Sequence, residues 1–368
     1  MPIVIDEKNK CCGCSACYSV CPEKCIEMKD DEQGFFYPNV KTDLCIKCER
    51  CTGACPIKQK SETKHEYNLG FAAFSLDEKI RKSSASGGIS YVLARYIISQ
   101  GGIVYGVSFD DSLKKAIYIR TESESGLNKI RGSKYLQSFA GSTFRDVKKD
   151  LDNDRLVYFT GTPCQIDGLY SYLGKNYNNL ITQDIICYGV NSPVVWKDYL
   201  TLIENKYKSR CKSVVHRDKS TGWRNYSLSF LFENGKKYEE ISTKSPFIRG
   251  FLLNMYLRPS CYECKFKADN RRADITLADY WGVEFIEPSL DDDNGLSFVW
   301  IHTQKGFDCF SAISKECFTK EINVDETLKY NYGALHSADH AERSEWFWNR
   351  YNGKNMKWLV RWMKLRRK

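Results

Sequence analysis

From Leu69 onward, apolar and polar positions follow two alternating periods. Runs such as GFAAFSL, IVYGVSFD, LVYFTGTPC and LITQDIICYG are short, apolar and edged by glycine or polar residues, as buried strands are. GGISYVLARYIISQGG, GSTFRDVKKDL and SPVVWKDYLTLIENKY instead repeat their apolar residues at the helical spacing. Strands and helices in alternation predict an α/β sheet. Gly87 and Gly88 open the first of these helices and Gly101 with Gly102 close it, where a close ligand approach and a left-handed cap are expected. Beyond Arg210 the pattern changes: SVVHRDKS, YSLSFLF, ENGKKYEEIS and DITLADYWG read as strands, with Asn234 and Gly235 as a hairpin turn. IKQKSETKHEYN, polar and charged, predicts a linker. The reading is α+β / α/β: a small cysteine-rich domain over 1–60, a linker over 61–68, a large mixed α/β domain over 69–340 and a basic, aromatic tail over 341–368.

Ahead of the linker the chain is organised by cysteine. CCGCSACYSVCP and CIKCERCTGACP each contain Cys, two residues, Cys, two residues, Cys, three residues, Cys, Pro, the spacing of bacterial ferredoxins with 4Fe-4S clusters. Three thiolates of one tight loop cap three irons of a cubane, and the fourth iron is held from the opposite half. The first cluster is therefore assigned to Cys11, Cys14, Cys17 and Cys55, and the second to Cys45, Cys48, Cys51 and Cys21. Zinc ribbons, the plainer use of paired CxxC, set their knuckles further apart and need no fourth cysteine before proline. Cys12 and Cys25 fall off the ligand spacing and are expected to pack against the clusters as small apolar residues.

Seventeen cysteines in 368 residues, with no apolar run of signal length in MPIVIDEKNKCC, argue for a reducing compartment rather than a disulfide framework. The expected location is the cytoplasm, since no segment reaches the roughly 18 uncharged apolar residues of a membrane span. A net charge of +9 suits an anionic partner: an acidic electron carrier, a phosphorylated cofactor or anionic lipid. From Lys354 onward there are seven Lys or Arg and no acid, interleaved with apolar residues. On a helix, Trp358, Trp362 and Leu365 share one face and Lys357, Arg361, Lys364 and Lys368 another. Such a tail either lies on the anionic inner face of a membrane or packs on the body with a solvated basic side; the second is the expected case. Nucleic acid is not expected as a partner, because no recognisable binding fold accompanies the basic stretch.

A second constellation follows. Cys164 in TGTPCQ and Cys187 in DIICYGV close strands, and Cys261 with Cys264 form the CYEC knuckle. Strand ends converge at one edge of an α/β sheet, where ligands bind. Two strand-end thiols and a knuckle can make a third four-thiolate site for a cluster, or equally for zinc; otherwise they are core residues. Cys211, Cys309 and Cys317 have no spacing partner and are read as structural. An electron relay also needs a redox terminus, and a flavin is the natural one. The helix start in SSASGGIS could aim N–H groups at a phosphate, RGSKYLQS (131–138) adds cations and hydrogen-bonding side chains, and Gly161, Thr162 and Pro163 make a further turn beside Cys164. No GxGxxG fingerprint follows a strand, so a Rossmann dinucleotide site is not indicated.

Taken in order, SASGG, IVYGVSFD, IRGSKYLQS, FTGTPCQIDGL, DIICYGV, STGW, PFIRGFL, LRPSCYECKFK and DITLADYWG make the stretch from Leu69 to Gln304 resemble the β-subunit family of coenzyme F420 hydrogenases and dehydrogenases. The resemblance implies an FAD-containing α/β domain with a 4Fe-4S cluster, moving electrons between flavin and a deazaflavin or another organic acceptor. The plant enzyme that reduces hydroxymethyl chlorophyll is similar to this family too, so the scaffold is not tied to one substrate. Versions led by a two-cluster ferredoxin occur beside bacterial polysaccharide synthesis genes, which implies a sugar-linked or other biosynthetic reduction. By position, the resemblance makes Ser86, Gly87, Gly88, Lys134, Tyr135, Gln137 and Ser138 the flavin-site candidates, joined by Gly161, Thr162 and Pro163, and makes Cys164, Cys187, Cys261 and Cys264 the ligands of the family's cluster. No catalytic acid is assigned; His216, Asp218, Lys219 and Trp223 either face substrate or order a loop. The expected function is that of an iron–sulfur flavoprotein oxidoreductase fed by a ferredoxin-like donor. The alternatives are an electron-transfer subunit without its own substrate and a sensor or scaffold whose clusters are read out.

Overall fold

The computed structural model describes residues 2–59, 65–268 and 270–365, with side chains through Trp362. In the N-terminal module the first cysteine loop enters the helix Ala16–Val20 and the second the helix Arg50–Gly53; between them β1 (Ile26–Asp30) and β2 (Phe36–Val40) pair antiparallel, Ile26 opposite Val40. The sequence duplication reappears in the backbone. Gly13 and Ser15 have φ of 70° and 70°, and Lys47 and Glu49, at the same offsets in the second half, have 56° and 62°. Left-handed residues alternating with ordinary ones curl a loop so that its amides and thiols face one space.

The body begins with β3 (Leu69–Ser75), where the second domain is expected, and continues through β4 (Ile103–Phe109), β5 (Ala116–Thr121), β6 (Ser138–Phe139), β7 (Val157–Thr160) and β8 (Leu180–Ile185). β9 (Cys211–Asp218), β10 (Ser227–Phe232) and β11 (Lys237–Ile241) follow, then β12 (Ile275–Asp279), β13 (Ser297–Ile301) and β14 (Cys317–Ile322). Nine of them form one sheet in the order β14-β3-β13-β12-β8-β7-β4-β5-β6. Its middle, β12, β8, β7 and β4, is parallel, and β13, β3 and β14 are added antiparallel on one side. Helices cover the sheet as the periodicity predicts: Ile89–Ser99 buries Ile89, Val92, Leu93 and Ile97, starting after Gly88 at φ 90°. Gly101, at φ 72°, lies just past its C-cap.

DITLADYWG is a strand, as read, and lies apart from those before it: β9, β10 and β11 make a separate antiparallel sheet, and β12 lies beside β8 in the large one. The reason is burial on both faces, for Ile275, Thr276 and Leu277 are all inside, which a central strand allows and a half-exposed sheet does not. In the tail, the helix Met356–Leu365 packs on Pro246–Leu252 as expected, but through Met356, Leu359 and Val360, which are buried. Trp362 stacks on Trp346 at 4.5 Å, and Trp358 is 57% exposed. The side chains of Lys364 and Leu365, and all of Lys368, lie outside the described residues, as do linker residues 60–64. No helix among the described residues is long and apolar enough to cross a membrane.

The module is held on the body by a fully buried arginine. Arg258 donates through Nε to the carbonyl of Cys11 (2.8 Å), through Nη2 to the carbonyl of Phe36 (3.0 Å) and through Nη1 to Gln137 Oε1 (3.1 Å), with its guanidinium 4.2 Å from the Tyr37 ring centre. Gln137 Oε1 also accepts from the amide of Phe36. Below this clasp the helix Pro163–Leu173 lies against the first cysteine loop: a Cβ on Gly168 would sit 2.8 Å from Cys14 Cβ. Arg258→Met removes three hydrogen bonds and takes this donor from the Cys11 and Phe36 carbonyls, while Gln137 Oε1 keeps the Phe36 amide; a buried acceptor left unmet costs about 1–3 kcal/mol. The expected outcome is destabilisation by about 3 kcal/mol or more, with the N-terminal module melting separately from the body in anaerobic thermal unfolding. A single transition at the wild-type temperature would contradict the clasp.

Candidate functional site

Two cavities open in the N-terminal module, and their walls sort the cysteines. One is walled by Cys11, Cys14, Cys17 and Cys55 with the apolar Ile3, Ile5, Met28 and Ile57; the other by Cys21, Cys45, Cys48 and Cys51 with Pro22, Ile26 and Val40. Each wall thus contains one of the quartets that the spacing assigns, three thiols from one loop and one from the other half, together with a fifth cysteine, Cys12 in the first and Cys25 in the second. Soft thiolate donors around an apolar space suit an iron–sulfur cubane. Among the described residues no three His, Cys, Asp or Glu close on a single-ion position. The first quartet is buried; in the second, Cys48 is exposed. Exposed Leu44 and Ile46 flank Cys45 of the same quartet in the chain. Cys25, off the spacing, lies 3.4 Å sulfur to sulfur from Cys21 in the second cavity wall.

A third set of four cysteines lies toward the carboxyl edge of the large sheet. Cys164 lies in the first turn of the helix after β7, Cys187 two residues past the parallel neighbour β8, and the CYEC knuckle reaches them from the short helix Pro259–Cys261. Their electrostatics record the convergence. Burial first, then the neighbouring Cys187, Cys264 and Cys164, push the Cys261 thiol far up. Burial, with Cys164 and Cys264 behind it, pushes Cys187 up to about 12. Without a metal such thiols stay protonated, so metal loading releases protons. Two buried cations sit against this crowd. Lys267 Nζ donates to the carbonyls of Cys187 (2.6 Å) and Gly333 (2.7 Å), and Arg258 feels Cys11, Cys12 and Cys261.

The residue that the spacing argument set aside is the one that joins two quartets. Cys12 lines the first cavity and its thiol interacts with both Cys14 and Cys164. It is the Cys12 contact, ahead of burial, that raises the Cys164 thiol. The close approach depends on Gly168, one turn beyond Cys164, and on the capping box of Thr162 and Gln165 with Pro163 in the first turn, which fixes where that helix starts.

The flavin candidates fall into three groups. Ser86 and Gly87 are engaged internally: Ser86 Oγ donates to the carbonyl of Leu296, the Gly87 amide to Ser297 Oγ, and a Cβ on Gly87 would lie 2.4 Å from the carbonyl of Ala73. Gln137 belongs to the Arg258 clasp, and Ser138 Oγ accepts from Gln165. Lys134 donates to the carbonyls of Lys129, Ile130, Arg131 and Gly132, capping the helix Glu124–Ile130, and burial lowers its pKa to about 7. Gly88, Gly161 and Thr162 remain at the sheet edge. Gln183, on β8, links the helix that follows Gly88 to the Gly161 turn, accepting from Ser90 through Oε1 (2.8 Å) and from the Gly161 amide through its carbonyl (3.0 Å). Tyr135 is half-buried nearby, its amide donating to His216 Nδ1 at 2.8 Å. In the middle of this edge Ile185 is 42% exposed although its strand is otherwise buried.

The residues around HRDKSTGW have mixed fates. His216 is enclosed by Trp196, Phe109 and Phe247. Asp218 orders its loop, accepting from Ser220 N and Ser229 Oγ. Trp223 is buried and stacks on Trp281 at 4.9 Å. Lys219 Nζ holds the carbonyls of Arg81, Ser86 and Asn294. Sequence reasoning passed over Arg258 and Arg217; strand alternation around His216 and Asp218, which sends Arg217 to the opposite face, was the available signal for the latter.

Comparison with known proteins fits this layout. Residues 154–326 match the C-terminal part of the coenzyme F420 hydrogenase/dehydrogenase beta-subunit family, and residues 10–58 match the 4Fe-4S dicluster domain. An uncharacterized protein of Methanocaldococcus jannaschii is 25% identical over 206 residues, 48% of this chain and 56% of that protein, so the match spans little more than half of that relative. An uncharacterized ferredoxin of the same organism is 33% identical over 73 residues, 17% of this chain and 94% of its own. Among solved structures, a chain in a xenon-derivatised F420-reducing NiFe hydrogenase complex from Methanosarcina barkeri is similar with a TM-score of 0.47 at 19% identity, covering 74% of this chain and 93% of that one.

Burial lowers the His216 pKa from 6.5 to about 3, with Lys134 adding to it. The unfolded imidazole takes up a proton near its ordinary pKa while the native one does not, so the stability tied to its neutrality is complete above pH 6.5. It drains at about 1.4 kcal/mol per pH unit as pH falls, levelling below the native value. His216→Gln keeps an acceptor for the Tyr135 amide and is expected to flatten this slope in anaerobic denaturant unfolding between about pH 7.5 and 5.5. Parallel slopes in the two proteins would contradict the assignment.

Proposed function

With residues 154–326 belonging to the coenzyme F420 hydrogenase/dehydrogenase beta-subunit family and residues 10–58 to the 4Fe-4S dicluster domains, we propose that this chain is an iron–sulfur, flavin-dependent oxidoreductase. It exchanges electrons with a ferredoxin-like donor and with an organic substrate, a deazaflavin or a sugar-linked biosynthetic intermediate. When bound, the clusters supply single-electron transfer and FAD supplies the conversion between single electrons and a two-electron reduction. What supports this reading is that Cys187, Cys261 and Cys264 each feel Cys164 at the sheet edge, and that Cys164 in turn interacts with Cys12 in the wall of the first cavity.

The protein's own part is spacing, charge and access. Cys11, Cys14, Cys17 and Cys55 hold the inner site of the module; Cys21, Cys45, Cys48 and Cys51 hold the outer one. With Cys48 exposed and the exposed, apolar Leu44 and Ile46 on either side of Cys45, the outer site suits docking of an external carrier. Cys12 and Gly168 keep the inner and third sites in contact. Arg258 and Lys267 bring fixed positive charge to the thiols of these two sites, which favours the reduced, more negative state and raises potential. The edge around Gly88, Gly161, Thr162, Tyr135 and Ile185 offers the flavin a half-buried aromatic and an exposed aliphatic side chain beside the glycine turns. Electron flow in either direction uses the same groups.

Protein purified without air is expected to carry about twelve irons and one FAD, falling to about eight irons in Cys261→Ala. Eight irons and no flavin in both would overturn the third site and the redox terminus together, and zinc in place of the last four irons would make the third site structural. Gly168→Val, which pushes its helix off Cys14, is expected to slow reduction of the flavin by dithionite-reduced module at least tenfold while leaving the outer site's iron in place. Unchanged kinetics would remove Gly168 from the relay. Turnover of a small molecule by the isolated chain supports an enzyme; reduction of artificial dyes alone, until a partner is added, supports an electron-transfer subunit.

A further inference from the structure

Arg217 lies on β9 where the small sheet meets the carboxyl edge of the large one, and it is 7% exposed. Its guanidinium sits 4.5 Å from the ring centre of Tyr226 and 5.5 Å from that of Trp281, which is itself stacked on Trp223. Asp279, the last residue of β12, accepts from Nη1 through Oδ2, and its other oxygen is taken by Trp223 Nε1 at 2.8 Å. That leaves Nε and Nη2 buried without a partner among the described residues. These two donors form one edge of the guanidinium fork, the edge that grips two oxygens of a carboxylate or phosphate side by side. The carboxylate beside it is already engaged at both oxygens and cannot turn to serve them. Lys219 adds a cation whose hydrogen bonds go to carbonyls, and Tyr135 and Tyr226 both feel the charge of Arg217. Around the covered fork, Asp279, Tyr135, Lys219 and Trp281 are only half-buried.

We propose that Arg217 is the floor of an oxyanion site that takes a phosphate or carboxylate group of a ligand lying along the carboxyl edge of the sheet. It deepens the flavin-edge reading and rests on it for the source of the anion: either the pyrophosphate of the flavin or an anionic group of the organic substrate. A structural arginine needs its remaining donors met by protein; here they are met only when an oxyanion, or water in its place, arrives.

The test is calorimetric titration of the full chain, prepared without air, with inorganic pyrophosphate, once as purified and once after flavin is stripped. Wild type is expected to bind saturably. Arg217→Lys, which keeps the charge but not the fork, is expected to weaken binding severalfold. Arg217→Gln combined with Asp279→Asn, which leaves no unpaired buried charge, is expected to weaken it at least tenfold at unchanged iron content. Binding only after stripping assigns the site to the flavin's pyrophosphate; binding to both preparations assigns it to the substrate's anion. If the protein carries no flavin yet pyrophosphate binding still depends on Arg217, the flavin reading falls and the anion site stands. Equal affinities in wild type and both variants, or no saturable binding to wild type, overturn the proposal.

Discussion

One buried guanidinium decides where the redox module sits. Arg258 precedes the CYEC knuckle, so the residue that positions Cys261 and Cys264 also holds the carbonyl of Cys11 and the hairpin residue Phe36. Burying a cation without a carboxylate partner is costly; here the cost is offset by three hydrogen bonds, by the Tyr37 ring and by the thiols around it, whose negative charge appears once they bind metal. The clasp and the metal sites are therefore interdependent. Loss of metal leaves the cation facing neutral thiols, and loss of the cation leaves crowded thiolates facing one another.

From that clasp the rest of the site follows. Because the first cysteine loop is pinned against the body, Cys14 meets Gly168 and Cys12 meets Cys164, and two four-thiol sets that are far apart in sequence become neighbours. The large sheet contributes the other constraint. Its parallel centre delivers Cys164 and Cys187 past adjacent strand ends, and Ile185, Tyr135 and Arg217 lie along the same edge. Under the proposed function, electrons would pass from the outer site near the exposed Cys48 to that edge.

Much of this was legible in the sequence. The duplicated spacing identifies the thiols around each N-terminal cavity, including the exchange of Cys21 and Cys55 between halves, because ligand geometry is written locally. Strand-end cysteines, the Asn234–Gly235 turn and the glycines bounding Ile89–Ser99 are likewise local. What escaped depends on which surfaces meet. DITLADYWG reads as a strand, but its place beside β8 is set by burial on both faces. Cys12 looks idle until a helix 150 residues later is docked beside it. Gln137 and Ser138 carry hydrogen-bonding groups fit for a cofactor, yet their partners are Arg258 and Gln165. The tail helix buries Met356, Leu359 and Val360 because the surface it packs on, not its own tryptophan pattern, selects the face.

The central claim is that three four-thiolate sites share one path, and iron anomalous diffraction from crystals grown without air tests it most directly. The account predicts three separate iron positions, the third enclosed by Cys164, Cys187, Cys261 and Cys264 on the body side of Cys12. Two iron positions confined to the N-terminal module, with zinc or only protein at the third quartet, would contradict it.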